Sequence, residues 1–114
     1  MHGFCHIEIP TIDANKSKDF YQKVFGWKMT EDMPDYVMFS TPDDEGGGFT
    51  TSSKPVPGGV VLYIEVEDIE KKLVEIESRD GKKVKGKTGI SAEFGFFGIF
   101  TDPCGNTLGL WSKK

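Results

Sequence analysis

Two stretches of this chain follow the same order of apolar and polar positions. In the first, residues 4–9 form a largely apolar run that predicts a strand ending before Pro10. Asp13, or Thr11 as the alternative, then caps a helix, because apolar residues recur with helical spacing from Phe20 onward. Gly26 lies just beyond the last of them and is predicted to end the helix.

Short apolar runs separated by turn residues complete the first half. They predict strands at residues 27–30, 36–40 and 47–51. The first turn between them contains Pro34 and Asp35. Residues 52–59 hold two prolines, two glycines and two serines without periodicity, and therefore predict a linker.

The second half repeats this order. A strand is predicted at residues 60–66, and Asp68 then leads into a helix that is predicted to end at Gly81. Further strands are predicted at residues 82–85, 94–100 and 107–111. Each half thus predicts one strand, one helix and three strands.

The repeat is also visible residue by residue, since Pro42 aligns with Pro103 and Gly48 with Gly109. Internal repetition indicates that each unit needs the other to bury a face. We therefore predict an α+β fold in a single domain of residues 1–114. Its module one is residues 1–51, its linker residues 52–59 and its module two residues 60–114.

Composition narrows the function classes. The net charge of −4 argues against nucleic acid or an anionic membrane as partner, because basic surface drives both kinds of binding. No apolar run approaches the roughly 20 residues of a membrane span, and the first residues lack a signal-peptide pattern. The two cysteines match no zinc or redox spacing. We expect a cytoplasmic protein.

Three further features favour structural roles. Cys5 is predicted to face the helices as a small buried side chain, and Cys104 lies in a turn without an activating histidine. The four lysines of residues 82–87 are expected on the solvated face of an edge strand. The glycines of residues 46–48 are expected to let a strand bend rather than to bind phosphate.

Two segments resemble the vicinal oxygen chelate superfamily of glyoxalase I, extradiol dioxygenases and bleomycin-type resistance proteins. One runs from His6 through Asp13 to the Phe-Gly-Trp sequence of residues 25–27, and the other is Asp-Pro-Cys-Gly-Asn at residues 102–106 with the following Leu-Trp. The resemblance covers essentially the whole chain. It implies two βαβββ modules that form a curved mixed sheet around a cavity, usually in a homodimer.

The resemblance also implies where a divalent metal would bind. Its ligands would come from the first and last strand of each module, which correspond here to His6, Gly48, Val61 and Gly109. Three of these four residues have no side-chain donor. A catalytic zinc usually takes three protein ligands, so His6 alone does not meet the need.

Glu8 is the second polar candidate. Residues i and i+2 of a strand share a face, so Glu8 should point where His6 points. Glu8 is either a general base, a partner that orients the imidazole, or a solvated carboxylate at the strand edge. His6 is either a hydrogen-bonded core residue or a residue that faces the cavity.

Alternation along the strands predicts an aromatic-lined cavity, the usual form of a small-molecule site. Its expected lining is Phe4, His6, Glu8, Val61, Tyr63, Thr107, Gly109 and Trp111. Trp27, Phe39 and Phe97 are further candidates whose facing alternation leaves open. Gly48 and Gly109 are expected to add free volume.

Two functions follow as hypotheses. The first is a binding protein without a cofactor that holds a small aromatic or planar molecule, as resistance members of the superfamily do. The alternative is a metal-dependent lyase of the lactoylglutathione lyase kind, or a dioxygenase, that uses His6 and Glu8 with other, non-standard ligands. The loss of three donor positions favours the first hypothesis.

Overall fold

The strand, helix and three-strand order occurs twice in the computed structural model, which describes residues 1–2, 4–33, 36–55 and 57–114. The chain divides into two compact units, Met1–Pro55 and Val56–Lys114. In the described part of the chain, each unit has one helix and four strands. The α+β class and the two βαβββ modules are therefore confirmed. Pro34 and Asp35 of the first predicted turn, and Val56 of the predicted linker, lie outside the described residues.

Unit one forms a four-stranded mixed sheet. Its elements are β1 (Ile7–Pro10), α1 (Ala14–Phe25), β2 (Lys28–Met33), β3 (Tyr36–Ser40) and β4 (Gly46–Thr50). The strand order is β1-β4-β3-β2, in which β1 runs parallel to β4 and the other neighbours are antiparallel.

Unit two repeats this topology. Its elements are β5 (Tyr63–Glu65), α2 (Ile69–Ser78), β6 (Lys82–Ser91), β7 (Gly95–Thr101) and β8 (Thr107–Ser112). The order β5-β8-β7-β6 places β5 parallel to β8, and the remaining pairs are antiparallel. The strand that follows the helix therefore lies at one end of the sheet in both units.

Aspartates begin both helices, as predicted. The Asp13 carboxylate accepts hydrogen bonds from the backbone N–H groups of Asn15 and Lys16, and Asp68 accepts one from Lys71. These bonds satisfy N–H groups that have no partner inside the helix. Of the helices in the described residues, none has the length and apolar character needed to cross a membrane.

The two helices end differently. Gly26 ends α1 with a left-handed φ of 72°, as its position predicts. The prediction that Gly81 ends α2 is wrong, because the cap is Arg79. Asp80 takes the left-handed conformation instead, with φ of 71°, and the Gly81 N–H bonds to the carbonyl of Ile76.

Each helix packs its apolar side on its own sheet. In unit one, the Tyr21 ring stacks on Trp27 at 4.7 Å between centroids and lies 5.4 Å from Phe49. In unit two, α2 buries Ile69, Leu73 and Ile76. Burial of each such side chain contributes about 1.5–3 kcal/mol.

The two matching turns confirm the internal repeat. The N–H of Thr41 bonds to the carbonyl of Glu45 at 2.8 Å, and the N–H of Asp102 bonds to the carbonyl of Asn106 at 2.9 Å. In both units this turn joins the last two strands, which then hold the aligned positions Gly48 and Gly109 at corresponding places.

Strand ends differ from the predictions where a partner strand begins or ends. Residues 4–6 are not part of β1, because β1 pairs with β4 only from the Ile7–Gly47 pair onward. Cys5 is consequently exposed, so its predicted burial is wrong. β5 is shorter than residues 60–66 because β8 pairs only with Tyr63–Glu65, and β6 is longer than residues 82–85 because β7 pairs along its length.

Candidate functional site

Unit two carries an open apolar pocket on the face of its sheet that points away from α2. A Cβ added to Gly98 of β7 would meet the α2 side chains Ile69 and Leu73, so the neighbouring residue Phe97 points to the opposite face. The pocket has a volume of about 360 Å³, which is within the usual range of small-molecule sites. It is lined by Tyr63, Ile90, Phe97 and Trp111.

Hydrogen bonding holds the Trp111 ring in place. Its indole Nε1–H donates to the carbonyl oxygen of Phe94 at 2.7 Å, and Phe94 lies in the turn that joins β6 and β7. Phe97 is the cross-strand partner of Trp111, so both rings lie on the same face of neighbouring strands. Because indole has a single donor and that donor is used, Trp111 can offer a ligand only its ring face.

Two lysines of β6 lie over aromatic rings of the neighbouring strand β7. The Lys85 Nζ is 5.7 Å from the centroid of Phe97, and the Lys87 Nζ is 4.5 Å from that of Phe96. All four lysines of residues 82–87 are exposed, and β6 is the last strand in the sheet order. The edge-strand prediction for this run is therefore confirmed, with two of the side chains also placed over aromatic rings.

Both glycines at the implied metal positions are covered by tyrosine rings. A Cβ at Gly109 would overlap the ring of Tyr63, its partner across β5 and β8, and a Cβ at Gly48 would overlap the ring of Tyr36. The expectation that these glycines add free volume is wrong. The lack of a side chain instead makes room for a ring.

In unit one, Tyr36 joins the two polar candidates. Its hydroxyl donates to Glu8 Oε2 at 3.0 Å and lies 2.8 Å from His6 Nε2. A phenol has one proton to donate, so His6 Nε2 must carry the hydrogen that Tyr36 accepts. The order of donation is His6 to Tyr36 to Glu8. His6 lies one residue before β1 and Glu8 lies within it, and both side chains reach the same hydroxyl.

The environment of Tyr36 favours its neutral form. Partial burial raises the pKa of its hydroxyl above the ordinary value of 10.0, and the hydrogen bond to Glu8 and the negative charge of Glu8 raise it further. Tyr36 therefore remains a hydrogen-bond donor at neutral pH. The trio can transfer or share protons, since a carboxylate, a phenol and an imidazole are connected in sequence.

These residues do not fit a catalytic metal. Catalytic zinc usually takes three protein ligands, whereas the trio supplies one imidazole, one carboxylate and a neutral phenol. Among residues 1–2, 4–33, 36–55 and 57–114, no group of three or more His, Cys, Asp or Glu side chains is placed to hold a metal ion. Gly48, Val61 and Gly109 bring no side-chain donor.

Several predicted lining residues lie elsewhere. Phe4 is 100% exposed because it precedes the paired part of β1. The rings of Trp27 and Phe39 stack on each other with 4.6 Å between centroids. Both are buried in the core between α1 and its sheet, on the sheet face opposite Glu8. Thr107 donates its hydroxyl to the carbonyl of Pro57 at 2.7 Å, and Val61 is half-buried just before β5.

Two residues of these sites were not found from the sequence. Ile90 lines the pocket because β6 continues to Ser91, well past the strand predicted at residues 82–85. Register shifts along β6 interrupt its alternation, so periodicity alone does not show the facing of Ile90. Tyr36 is in a correctly predicted strand, but its approach to His6 and Glu8 depends on the strand order.

Sequence comparisons relate the chain to a family model and to a curated protein. Residues 4–42 match the family model described as bleomycin resistance protein-like N-terminal. A glyoxylase-like domain-containing protein from Didymella fabae is 27% identical over an alignment of 123 positions, gaps included, that covers 99% of this chain of 114 residues and 96% of that protein.

Solved structures share the fold. A glyoxalase/bleomycin resistance protein/dioxygenase family enzyme from Burkholderia phytofirmans PsJN is similar with a TM-score of 0.80 and 16% identity, covering 96% of this chain and 98% of that one. TnmS3, an antibiotic binding protein from Streptomyces sp. CB03234, has a TM-score of 0.73 and 19% identity, covering 100% of this chain and 98% of that one.

Proposed function

We propose that this chain belongs to the vicinal oxygen chelate superfamily and binds a small planar aromatic molecule in the pocket of unit two. Its fold and the sequence matches support the first part of the proposal. The observation that carries the proposal is the set of three aromatic side chains, Tyr63, Phe97 and Trp111, around one apolar pocket of about 360 Å³. Aromatic rings favour stacked or edge-to-face neighbours, and each pair contributes about 0.5–1.5 kcal/mol beyond burial.

Binding without a metal is favoured over the metal-dependent lyase or dioxygenase alternative. The available donors in the trio of His6, Tyr36 and Glu8 do not match the ligand set of a catalytic metal. The similar structures include a protein described as an enzyme and one described as an antibiotic binder, so the fold alone does not choose between the two functions. The pocket chemistry of this chain supports the binder.

The test uses the natural fluorescence of Trp111. The chain has two tryptophans, and Trp27 is only 7% exposed in the core. Replacing Trp27 by Phe leaves Trp111 as the single emitter, so its emission reports the pocket. We expect saturable quenching by at least one member of a panel of naphthalene, quinoline and acridine derivatives. Quenching that rises linearly with concentration for every compound would contradict the proposal.

Two controls locate the binding. Phe97→Ala removes one wall of the pocket and is expected to weaken binding of the same compound at least threefold. Lys83→Ala should leave binding unchanged, because Lys83 pairs with Phe100 and therefore lies on the α2 face of the sheet. Equal losses in both variants would indicate that the compound binds outside the pocket.

A further inference from the structure

We infer that Tyr36 takes the place of a metal ion in unit one, and that its replacement by a metal-binding side chain opens a divalent-metal site between His6 and Glu8. The inference rests on the metal-free character of the proposed function. It concerns unit one, whereas the proposed aromatic ligand binds in unit two.

The first support is the bridging position of the Tyr36 oxygen. One atom lies 2.8 Å from His6 Nε2 and 3.0 Å from Glu8 Oε2, so two potential metal donors already converge on a single point. Zinc binds imidazole nitrogen and carboxylate oxygen at roughly 2.0–2.2 Å. Both side chains are exposed, and each would have to move inward by about 1 Å to reach a metal at that point.

The direction of the hydrogen bonds opposes metal binding in the native chain. The Tyr36 hydroxyl donates its hydrogen bond to Glu8, so His6 Nε2 carries a hydrogen directed at the Tyr36 oxygen. A metal needs the lone pair of a neutral imidazole nitrogen and an uncovered carboxylate oxygen. In this arrangement Nε2 presents a hydrogen rather than a lone pair, and Oε2, the Glu8 oxygen that lies 3.0 Å from the Tyr36 oxygen, accepts the Tyr36 hydrogen bond.

Packing keeps the hydroxyl in that position. The Tyr36 ring lies over Gly48, where any Cβ would overlap it. The ring is also nearly parallel to the His6 imidazole, with an interplanar angle of 18° and a centroid distance of 6.3 Å. Gly48 thus has two effects: it supplies no metal donor, and it makes room for the ring that places the competing hydroxyl.

The decisive variant is Tyr36→His, which removes the bridge and supplies a third donor next to His6 and Glu8. Titration with Zn²⁺ by calorimetry and with Co²⁺ by visible absorption should show one site per chain. We expect binding at least tenfold tighter than in the parent chain. Adding His6→Ala to Tyr36→His should abolish this gain, because it returns the site to two donors.

Tyr36→Phe provides an independent measurement that does not require a new donor. It keeps the ring over Gly48 and removes only the hydroxyl, so folding should be preserved. Zn²⁺ should then shift the NMR signals of the His6 ring at a concentration several times lower than in the parent chain. Glu8→Gln in this background should reverse the effect.

Two results would overturn the inference. One is a parent chain that binds Zn²⁺ as tightly as Tyr36→His. The other is a folded Tyr36→His or Tyr36→Phe variant, with parent-like circular dichroism, that gains no metal affinity. Trp111 quenching by the aromatic compounds is measured on the same samples. Failure of that binding alone counts against the pocket proposal and not against the role of Tyr36.

Discussion

The ring of Tyr63 lies over Gly109, its cross-strand partner on β8, and fills the space that a side chain at position 109 would take. Unit one has a corresponding arrangement at the aligned position, where Tyr36 covers Gly48. The two tyrosines come from strands that do not correspond in the repeat, because Tyr63 is in β5 and Tyr36 is in β3. Both units therefore have a glycine under a tyrosine ring, but the ring comes from a different strand in each. In each unit the covering ring belongs to the candidate site.

Gly109→Ala is expected to lower the free energy of unfolding by about 1–3 kcal/mol, the usual cost of adding a methyl group to a packed site. The added Cβ would also push the Tyr63 ring and so disturb the pocket. Urea denaturation of the two proteins measures the change. Gly86→Ala on β6 is the matched control, because a Cβ there meets no atom within 4 Å.

A second substitution separates the overlap with Tyr63 from other effects. Tyr63→Ala removes the ring, so Gly109→Ala in that background should cost little further stability. Additive losses in this double-mutant cycle would show that the ring is not what the new methyl group meets. Gly109→Glu should displace the ring more strongly and weaken binding of an aromatic compound, since it adds both volume and charge.

Replacing Trp111 should distinguish its ring from its hydrogen bond. Trp111→Phe keeps an aromatic face and loses the N–H that donates to Phe94, whereas Trp111→Ala loses both. We expect Trp111→Ala to lower the affinity for an aromatic ligand about threefold to tenfold, and Trp111→Phe to lower it less. Calorimetry measures both affinities. If Trp111→Ala binds as tightly as the parent chain, the Trp111 ring does not contact the ligand.

Alkaline pH should destabilise the parent chain more than Tyr36→Phe. The folded state raises the pKa of Tyr36, so the associated stability is fully present below the unfolded pKa of about 10 and is lost as pH rises through the folded value. Denaturation at a series of pH values from 8 to 11.5 measures the difference. Identical pH profiles for the two proteins would contradict the raised pKa.

Glu8→Gln tests how much of the raised pKa of Tyr36 is due to Glu8. It removes the charge and the carboxylate acceptor but leaves the burial of Tyr36, which is the largest cause of the raised pKa. The pKa of Tyr36 should therefore fall toward its ordinary value without reaching it. Ultraviolet titration of the parent chain, Glu8→Gln and Tyr36→Phe separates the Tyr36 signal from those of the other tyrosines.

Asp102→Ala should destabilise the chain by about 1–3 kcal/mol. This buried carboxylate accepts hydrogen bonds from the backbone of Cys104 and from the backbone and side chain of Asn106. Thr41→Ala changes the same position of the matching turn, where the hydroxyl accepts one backbone bond from Glu45. Thermal unfolding should show the smaller loss for Thr41→Ala, and the reverse order would contradict the assigned roles.

The chain is expected to form a homodimer, as its resemblance to the superfamily implies. Several large apolar side chains remain exposed on the single chain, among them Val60 at 91% and Ile12 at 69%. A partner surface would remove such groups from water. Light scattering at micromolar concentration should give about twice the chain mass of 12.7 kDa, and a value near the chain mass itself would refute the dimer.

Most of the fold prediction depended on interactions between residues that are close in sequence. Asp13 and Asp68 mark helix starts because a carboxylate can accept from the first free N–H groups of a helix, an interaction within a few residues of sequence. The end of α2 was missed because Asp80, rather than Gly81, takes the left-handed conformation.

Strand limits were less predictable, since they depend on the partner strand. Alternation shows that a segment can be a strand, but β1 starts at Ile7 because β4 offers no partner to the residues before it. For the same reason Phe4 and Cys5 are exposed, although their residue types suggest burial. Strand pairing is a contact between segments that are distant in sequence, so the residues of one segment alone do not show where it begins or ends.

The twofold repeat, the helix starts, the glycines at two implied metal positions and the proximity of His6 to Glu8 can all be read from the order of residues along the chain. The side chains that cover the two glycines become known only from the folded chain. Tyr36 reaches Glu8 across a sequence separation of 28 residues, and Tyr63 covers a glycine 46 positions later because β5 lies beside β8. Strand order brings these side chains together, and strand order is set by the packing of the whole unit.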